Sequence, residues 1–239
     1  VKRVGFRILP GKEPINLAAQ SESPDDLRKI YAARFSGHAV YRTSVWKILT
    51  STFFSRWIKP VDTVLDLGCG YGEFINNVSA AKKYAMDLNP SARDLVAPDV
   101  ELLLQDCSQP WPLAANSLDV VFTSNFFEHL PTKQSLRSTL TEAFRCLKPG
   151  GYLIALGPNV KIIAGHYWDF FDHYLPLTEL SLEEAMTIIG YQVNATARFL
   201  PYTMSMGSQP PLWMLRLYLR VPLLWRLFGH QFLVIGQKP

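Results

Sequence analysis

Residues 64–73 read Val64-Leu65-Asp66-Leu67-Gly68-Cys69-Gly70-Tyr71-Gly72-Glu73, and this stretch decides the fold. A short apolar run closed by alternating glycines predicts a buried strand, a tight turn and the N-terminus of a helix. The glycines let a ligand press on the backbone, and a helix N-terminus favours an anionic group. Two features separate this loop from a dinucleotide-phosphate cradle. Its spacing is G-x-G-x-G rather than G-x-G-x-x-G, and Asp66 stands two residues before Gly68. A carboxylate there repels a pyrophosphate and welcomes the ammonium of an amino-acid moiety.

Outward from the loop, strands and helices alternate. Tyr84-Ala85-Met86-Asp87, Val100-Glu101-Leu102-Leu103-Leu104, Leu118-Asp119-Val120-Val121-Phe122 and Tyr152-Leu153-Ile154-Ala155-Leu156 read as further buried strands. Before the last of these, Leu136, Leu140, Ala143, Phe144 and Leu147 fall at helical spacing, with Pro149-Gly150-Gly151 as the stop. Such alternation predicts an α/β domain with a doubly wound, mostly parallel sheet covered on both faces. Ser181-Leu182-Glu183-Glu184 reads as a capping box for a last regular helix closed by Gly190, and 191–199 and 231–236 are the remaining strand candidates. Toward the N-terminus, an irregular lead-in precedes a helix over 24–35. A second helix from Tyr41 carries Val45, Ile48, Leu49 and Phe53 on one face and ends at Pro60. The expected organisation is therefore a lead-in and helical lid over 1–60 and a core over 61–239, with an aromatic, basic insertion at about 200–229.

The chain of 239 residues is 48% hydrophobic and 13% aromatic, ample for a core and incompatible with disorder. Its net charge of +4 is unevenly spread. After Glu184 there is no Asp or Glu, while Arg198, Arg216, Arg220, Arg226 and Lys238 remain, so this tail carries +5 and the rest −1. Cys69, Cys107 and Cys146 form neither a zinc ribbon nor a disulfide framework, which points to a reducing compartment. No signal-peptide-like run opens the sequence, and 217–235 is interrupted by Arg220, Pro222, Arg226, Gly229 and His230. A cytoplasmic protein that does not cross a membrane is expected.

In order and spacing, these motifs resemble the class I S-adenosylmethionine-dependent methyltransferases. Asp66-Leu67-Gly68-Cys69-Gly70-Tyr71-Gly72 is similar to their first motif, and Asp87 in Met86-Asp87-Leu88-Asn89-Pro90 to the acid ending their second strand. Asp106-Cys107, then Ser117 to Val121 with Asn125-Phe126-Phe127-Glu128-His129-Leu130, and Leu147-Lys148-Pro149-Gly150-Gly151 continue the series. The resemblance covers about 62–160 well. It implies a seven-stranded Rossmann-like sheet with an antiparallel last strand, and S-adenosylmethionine as cofactor. It also implies cofactor contacts from Asp66, Gly68, Cys69, Gly70, Gly72, Asp87, Leu88, Asp106, Cys107 and Asn125. Asp87 would hold ribose hydroxyls and Asp106 would lie by adenine, while Tyr31 and Arg34 of the lid would reach the methionine carboxylate. Cys69 and Cys107 read as small fillers rather than nucleophiles, and Asp119 as a local hydrogen-bonding residue.

Methyl transfer from a sulfonium mainly demands alignment, and a hydroxyl acceptor adds the need for a general base. Histidine is best poised for that near neutral pH. The candidates are His129, His166 and His173. Related quinone-type O-methyltransferases carry an E-x-x-E-H metal cluster where this chain has Asn125-Phe126-Phe127-Glu128-His129. One carboxylate is missing, so no metal is expected and a structural or cofactor-side role for His129 is preferred. The aromatic segment Gly165-His166-Tyr167-Trp168-Asp169-Phe170-Phe171-Asp172-His173-Tyr174 follows strand five, beyond the carboxyl ends of the strands where ligands bind in such sheets. Within it the reading leans to His166 as the base.

The fourth strand lacks a following Asp/Asn-Pro-Pro-aromatic motif, no Pro-Cys nucleophile is present, and the positive charge is sparse and interleaved with Leu and Trp. A nucleic-acid substrate is not expected. The expected acceptor is a small or carrier-linked molecule methylated at oxygen, with a sugar or saccharide precursor suggested by family analogy. A catalytically silent scaffold and a nucleotide-dependent oxidoreductase are the competing classes. For the 204–228 segment, extra core, a homodimer surface and peripheral membrane contact remain open.

Overall fold

A computed structural model describes residues 39–201 and 209–239. Helix α1 (Ala39–Ile48) runs on through a π turn (Leu49–Phe53) and a 3-10 turn (Phe54–Arg56). The π turn falls where Thr50, Ser51 and Thr52 donate their hydroxyls back to the carbonyls of Trp46, Lys47 and Ile48, competition that loosens an α-helical ladder. Then come β1 (Thr63–Leu67), β2 (Lys82–Asp87), β3 (Val100–Leu104), β4 (Leu118–Ser124), α2 (Lys133–Cys146) and β5 (Leu147–Pro158). The remainder is α3 (Val160–Ile163), α4 (Glu179–Ile189), β6 (Gln192–Thr196), α5 (Leu212–Arg220), α6 (Pro222–Phe228) and β7 (Gln231–Gln237).

The seven strands lie in the order β3-β2-β1-β4-β5-β7-β6. Strands β1 to β5 pair in parallel, and β7 runs antiparallel to both β5 and β6. This is the doubly wound sheet the alternation predicts, with the antiparallel strand last in sequence. The chain order reverses between β1 and β4, so the crevice beyond their carboxyl ends is the switch point where a ligand fits.

Alternating residues of β1 divide the interior. Leu65 and Leu67 face a layer with Leu136, Leu140 and Leu182 from α2 and α4. Val64 faces the other layer, where Val45, Phe53 and Phe54 meet Phe74, Phe122 and Leu215. Phe74 and Phe122 stack with centroids 3.6 Å apart, and Trp46 and Phe54 meet Phe122 edge-on. Burying a side chain of this size contributes roughly 1.5–3 kcal/mol. The N-terminal helix is thus present and packs into the core through the apolar face read from its sequence. The expected 24–35 helix lies outside the described residues.

Three local expectations change. Turns, not a regular helix, follow Gly72: Asn77 donates to the Glu73 carbonyl, while Asn76 bonds Leu95 O and Ala97 N, side-chain bonds that compete with a helical ladder. Helix α4 starts earlier than Ser181, because Thr178 is the cap. Its side chain accepts from the Ser181 amide and Ser181 Oγ accepts from the Thr178 amide. Helix α2 ends at Cys146, and Leu147 already pairs with Leu118. Asp119 does bond locally: it accepts from the Thr63 amide and from Lys148 Nζ, both at 2.8 Å, pinning β1, β4 and β5 together.

Candidate active site

The glycine loop joins β1 to the edge of the crevice. Gly68, Gly70 and Gly72 have φ of 69°, 50° and 69°, a region closed to most side chains. At Gly68 there is no room either, since a Cβ would sit 2.2 Å from Cγ of Phe126. The turn after β4 therefore lies directly on the loop after β1. In that turn Asn125 is exposed with φ of 50°, which Asn tolerates, and its amide donates to Leu156 O.

Asp66 is buried at the loop and accepts from the Ile75 amide. Burial, reinforced by neighbouring Asp87 and then Glu73, holds its carboxyl well above the usual carboxylate range. Asp87, ending β2, is also raised by burial, opposed by amide donors from Asn89, Gly70 and Leu88 and by the Cys69 thiol. Two neighbouring acids, one buried and one half-buried, repel an anion and gain from a cation beside them. That chemistry fits the ammonium and sulfonium of S-adenosylmethionine and opposes a pyrophosphate, so the residues present suit the cofactor.

The other expected cofactor residues are less uniform. Leu88 is exposed next to Asp87. Asp106, half-buried after β3, accepts from the Ser108 amide at 2.8 Å. Cys69 is buried against the two acids, and burial pushes its thiol far up, so it is no nucleophile. Cys107 turns inward to Thr139 at 3.3 Å, and burial pushes its thiol up to about 12. Tyr31 and Arg34 lie outside the described residues.

Sequence reasoning missed Arg42. From α1 this buried guanidinium donates to Glu73 Oε1 at 2.6 Å and lies over the Tyr71 ring, while Thr50 donates to Asn77 O. Helix α1 thus straps down the turns that follow the glycine loop. An Arg-acid pair so far apart in sequence has no local signature.

The histidines separate clearly. His166 is exposed and pairs with exposed Asp169 at 3.0 Å. His173 is buried, its ring against His129, Tyr167 and Phe170. His129 is half-buried, with Nδ1 2.8 Å from the Asp172 carbonyl and 3.3 Å from its carboxylate Oδ2. Both partners are acceptors, so Nδ1 carries a proton. The Glu128 carbonyl accepts the amides of Tyr174 and Leu175, which fastens the aromatic segment to the β4 turn. Burial, with Asp172 adding to it, pushes the Glu128 carboxyl up to about 8. Donor atoms of Glu128, His129 and His173 lie within 4.8 Å of one another, a spacing a cation could bridge. His173 supplies a group to this cluster that the local Glu128-His129 motif lacks, and only folding brings it there.

Residues 65–155 match the methyltransferase domain family. An uncharacterized methyltransferase of Mycobacteroides abscessus is 33% identical over 110 residues, 40% of this chain and 41% of that protein. A demethylmenaquinone methyltransferase of Lactiplantibacillus plantarum is 27% identical over 154 residues, 58% of this chain and 64% of that protein. The chain thus spans less than two thirds of the length of either relative. The crystal structure of a SAM-dependent methyltransferase from Archaeoglobus fulgidus superposes with a TM-score of 0.64 at 20% identity, covering 89% of this chain and all of that one, a likeness of fold. Residues 65–155 thus match a methyltransferase domain, and the described fold is like that of S-adenosylmethionine-dependent methyltransferases.

Proposed function

We propose that this chain methylates an oxygen of a small or carrier-linked acceptor, with His129 as the proton acceptor. The observation that carries the reading is the adjacency of the acid-lined glycine loop and the His129–Asp172 pair, joined through Phe126 over Gly68. S-adenosylmethionine supplies the electrophilic methyl group. Asp66, the loop amides and Asp87 would hold it, with Asp87 at the ribose and Asp106 by the adenine. Arg42 keeps the turns after the loop in place. His129 Nε2 takes the acceptor proton, and the Asp172 oxygens favour the imidazolium that forms. The exposed Trp168 and Phe171 belong to the segment that would wall the acceptor.

A sugar or saccharide precursor is the first acceptor class to test, and the relative that acts on demethylmenaquinone adds lipid-borne quinones to the panel. Incubation with methyl-labelled S-adenosylmethionine and fractionated cell extract should move label into one small-molecule fraction. Cofactor binding without a methylated product in any fraction would mean a scaffold instead.

A further inference from the structure

We propose that α5 and α6 form a docking surface for an anionic lipid bilayer, held beside the mouth of the active site. On α5, Leu212, Leu215, Tyr218 and Leu219 pack inward, which leaves Trp213, Arg216, Leu217 and Arg220 on the outward face at i, i+3, i+4 and i+7. On α6, Trp225 is tied inward by its indole N–H to Tyr218 O, and Leu223, Arg226, Leu227 and Phe228 point outward. Trp213, Leu217, Leu223, Leu227 and Phe228 are each at least 50% exposed. Large apolar side chains so closely grouped on a surface mark a binding site.

Charge selects the occupant. Arginines alternate with the apolar side chains on the same outward face, and no acid follows Glu184. Among the described residues Arg216, Arg220 and Arg226 pair with no acid. An arginine can lay its stem along an apolar face while its head stays at the level of lipid phosphates, and Trp favours the same interfacial depth. A second copy would bring like charge against like charge across a two-fold interface. No described helix is long and apolar enough to cross a membrane, so the surface lies on the bilayer rather than through it.

Topology relates this surface to the site. Helix α6 ends at Phe228, and β7 begins at Gln231 opposite Pro158, at the carboxyl end of β5. Asn159 N donates to His230 O at that corner, and the segment with exposed Trp168 and Phe171 leaves from the same end of β5. A bilayer under α6 therefore borders the edge where an acceptor enters.

Vesicle co-sedimentation of the full chain tests this independently of catalysis. With phosphatidylglycerol-containing vesicles at low salt the protein should pellet, and with pure phosphatidylcholine it should stay in solution. Raising salt, or the R216E/R220E/R226E variant, should lower the bound fraction about tenfold or more. W213S/L217S should lose binding to the same vesicles while its melting temperature and S-adenosylhomocysteine affinity stay normal. No pelleting with anionic vesicles at low salt overturns the proposal. So does a stable dimer in sedimentation velocity that W213S/L217S dissociates.

Discussion

Asp87 Oδ2 accepts the backbone N–H of Gly70 at 2.8 Å, and its Oδ1 accepts the Asn89 amide at 2.8 Å. The acid that ends β2 therefore shapes the glycine loop of β1 as well as offering a carboxylate to a ligand. Asp87→Asn keeps the size but leaves one of these amides facing a donor. An unsatisfied buried donor costs about 1–3 kcal/mol. Calorimetry should find S-adenosylhomocysteine bound about tenfold or more weakly; unchanged affinity would remove Asp87 from the site.

Gly68 combines a left-handed backbone with a ring against its α-carbon. Gly68→Ala meets both obstacles and should destabilise by about 2 kcal/mol or more, read as a lower melting temperature. Gly68→Ala in a Phe126→Ala background removes the steric part alone. A double variant no worse than Phe126→Ala would mean that the φ of Gly68 carries no strain.

His129 and His166 make opposite predictions. His129→Ala should lower kcat about a hundredfold with cofactor affinity retained, and Asp172→Asn should cause a smaller loss. His166→Ala should turn over normally, because its side chain is 84% exposed. The reverse pattern would move the base to the 164–169 segment. Turnover abolished by EDTA and restored by a divalent cation would assign the Glu128, His129 and His173 cluster to a metal instead.

Glu128 sets a pH dependence of stability. Its folded pKa of about 8 lies above the ordinary glutamate value of 4.5, so its contribution is fully present below about 4.5 and is lost as pH rises from there through 8. The melting temperature should fall between pH 6 and pH 9. Glu128→Gln, which stays neutral, should show a smaller fall; an equal fall in both proteins would assign the effect to other groups.

The strands around the switch point were legible because each is a short apolar run closed by Gly, an acid or a polar turn residue. The β1 loop was legible because three glycines at that spacing serve few other backbones. Where side chains compete with the backbone for hydrogen bonds, local pattern is a poorer guide. Asn76 and Asn77 replaced the helix expected after Gly72 with side-chain bonds, and Thr178 captured the cap expected from Ser181. Arg42 was invisible because its value depends on Glu73, which only folding brings near.

By itself, the sequence determined the sheet class, the acid-and-glycine cradle and the uneven charge, all carried by neighbouring residues with short-range preferences. Tertiary structure decided how the histidines are partnered, since the Asp172 partner of His129 lies 43 positions away in the chain. It also decided that the basic tail turns Leu215 and Leu219 inward while leaving Trp213, Leu217 and their arginines outside. Both choices rest on contacts between segments that no local pattern records.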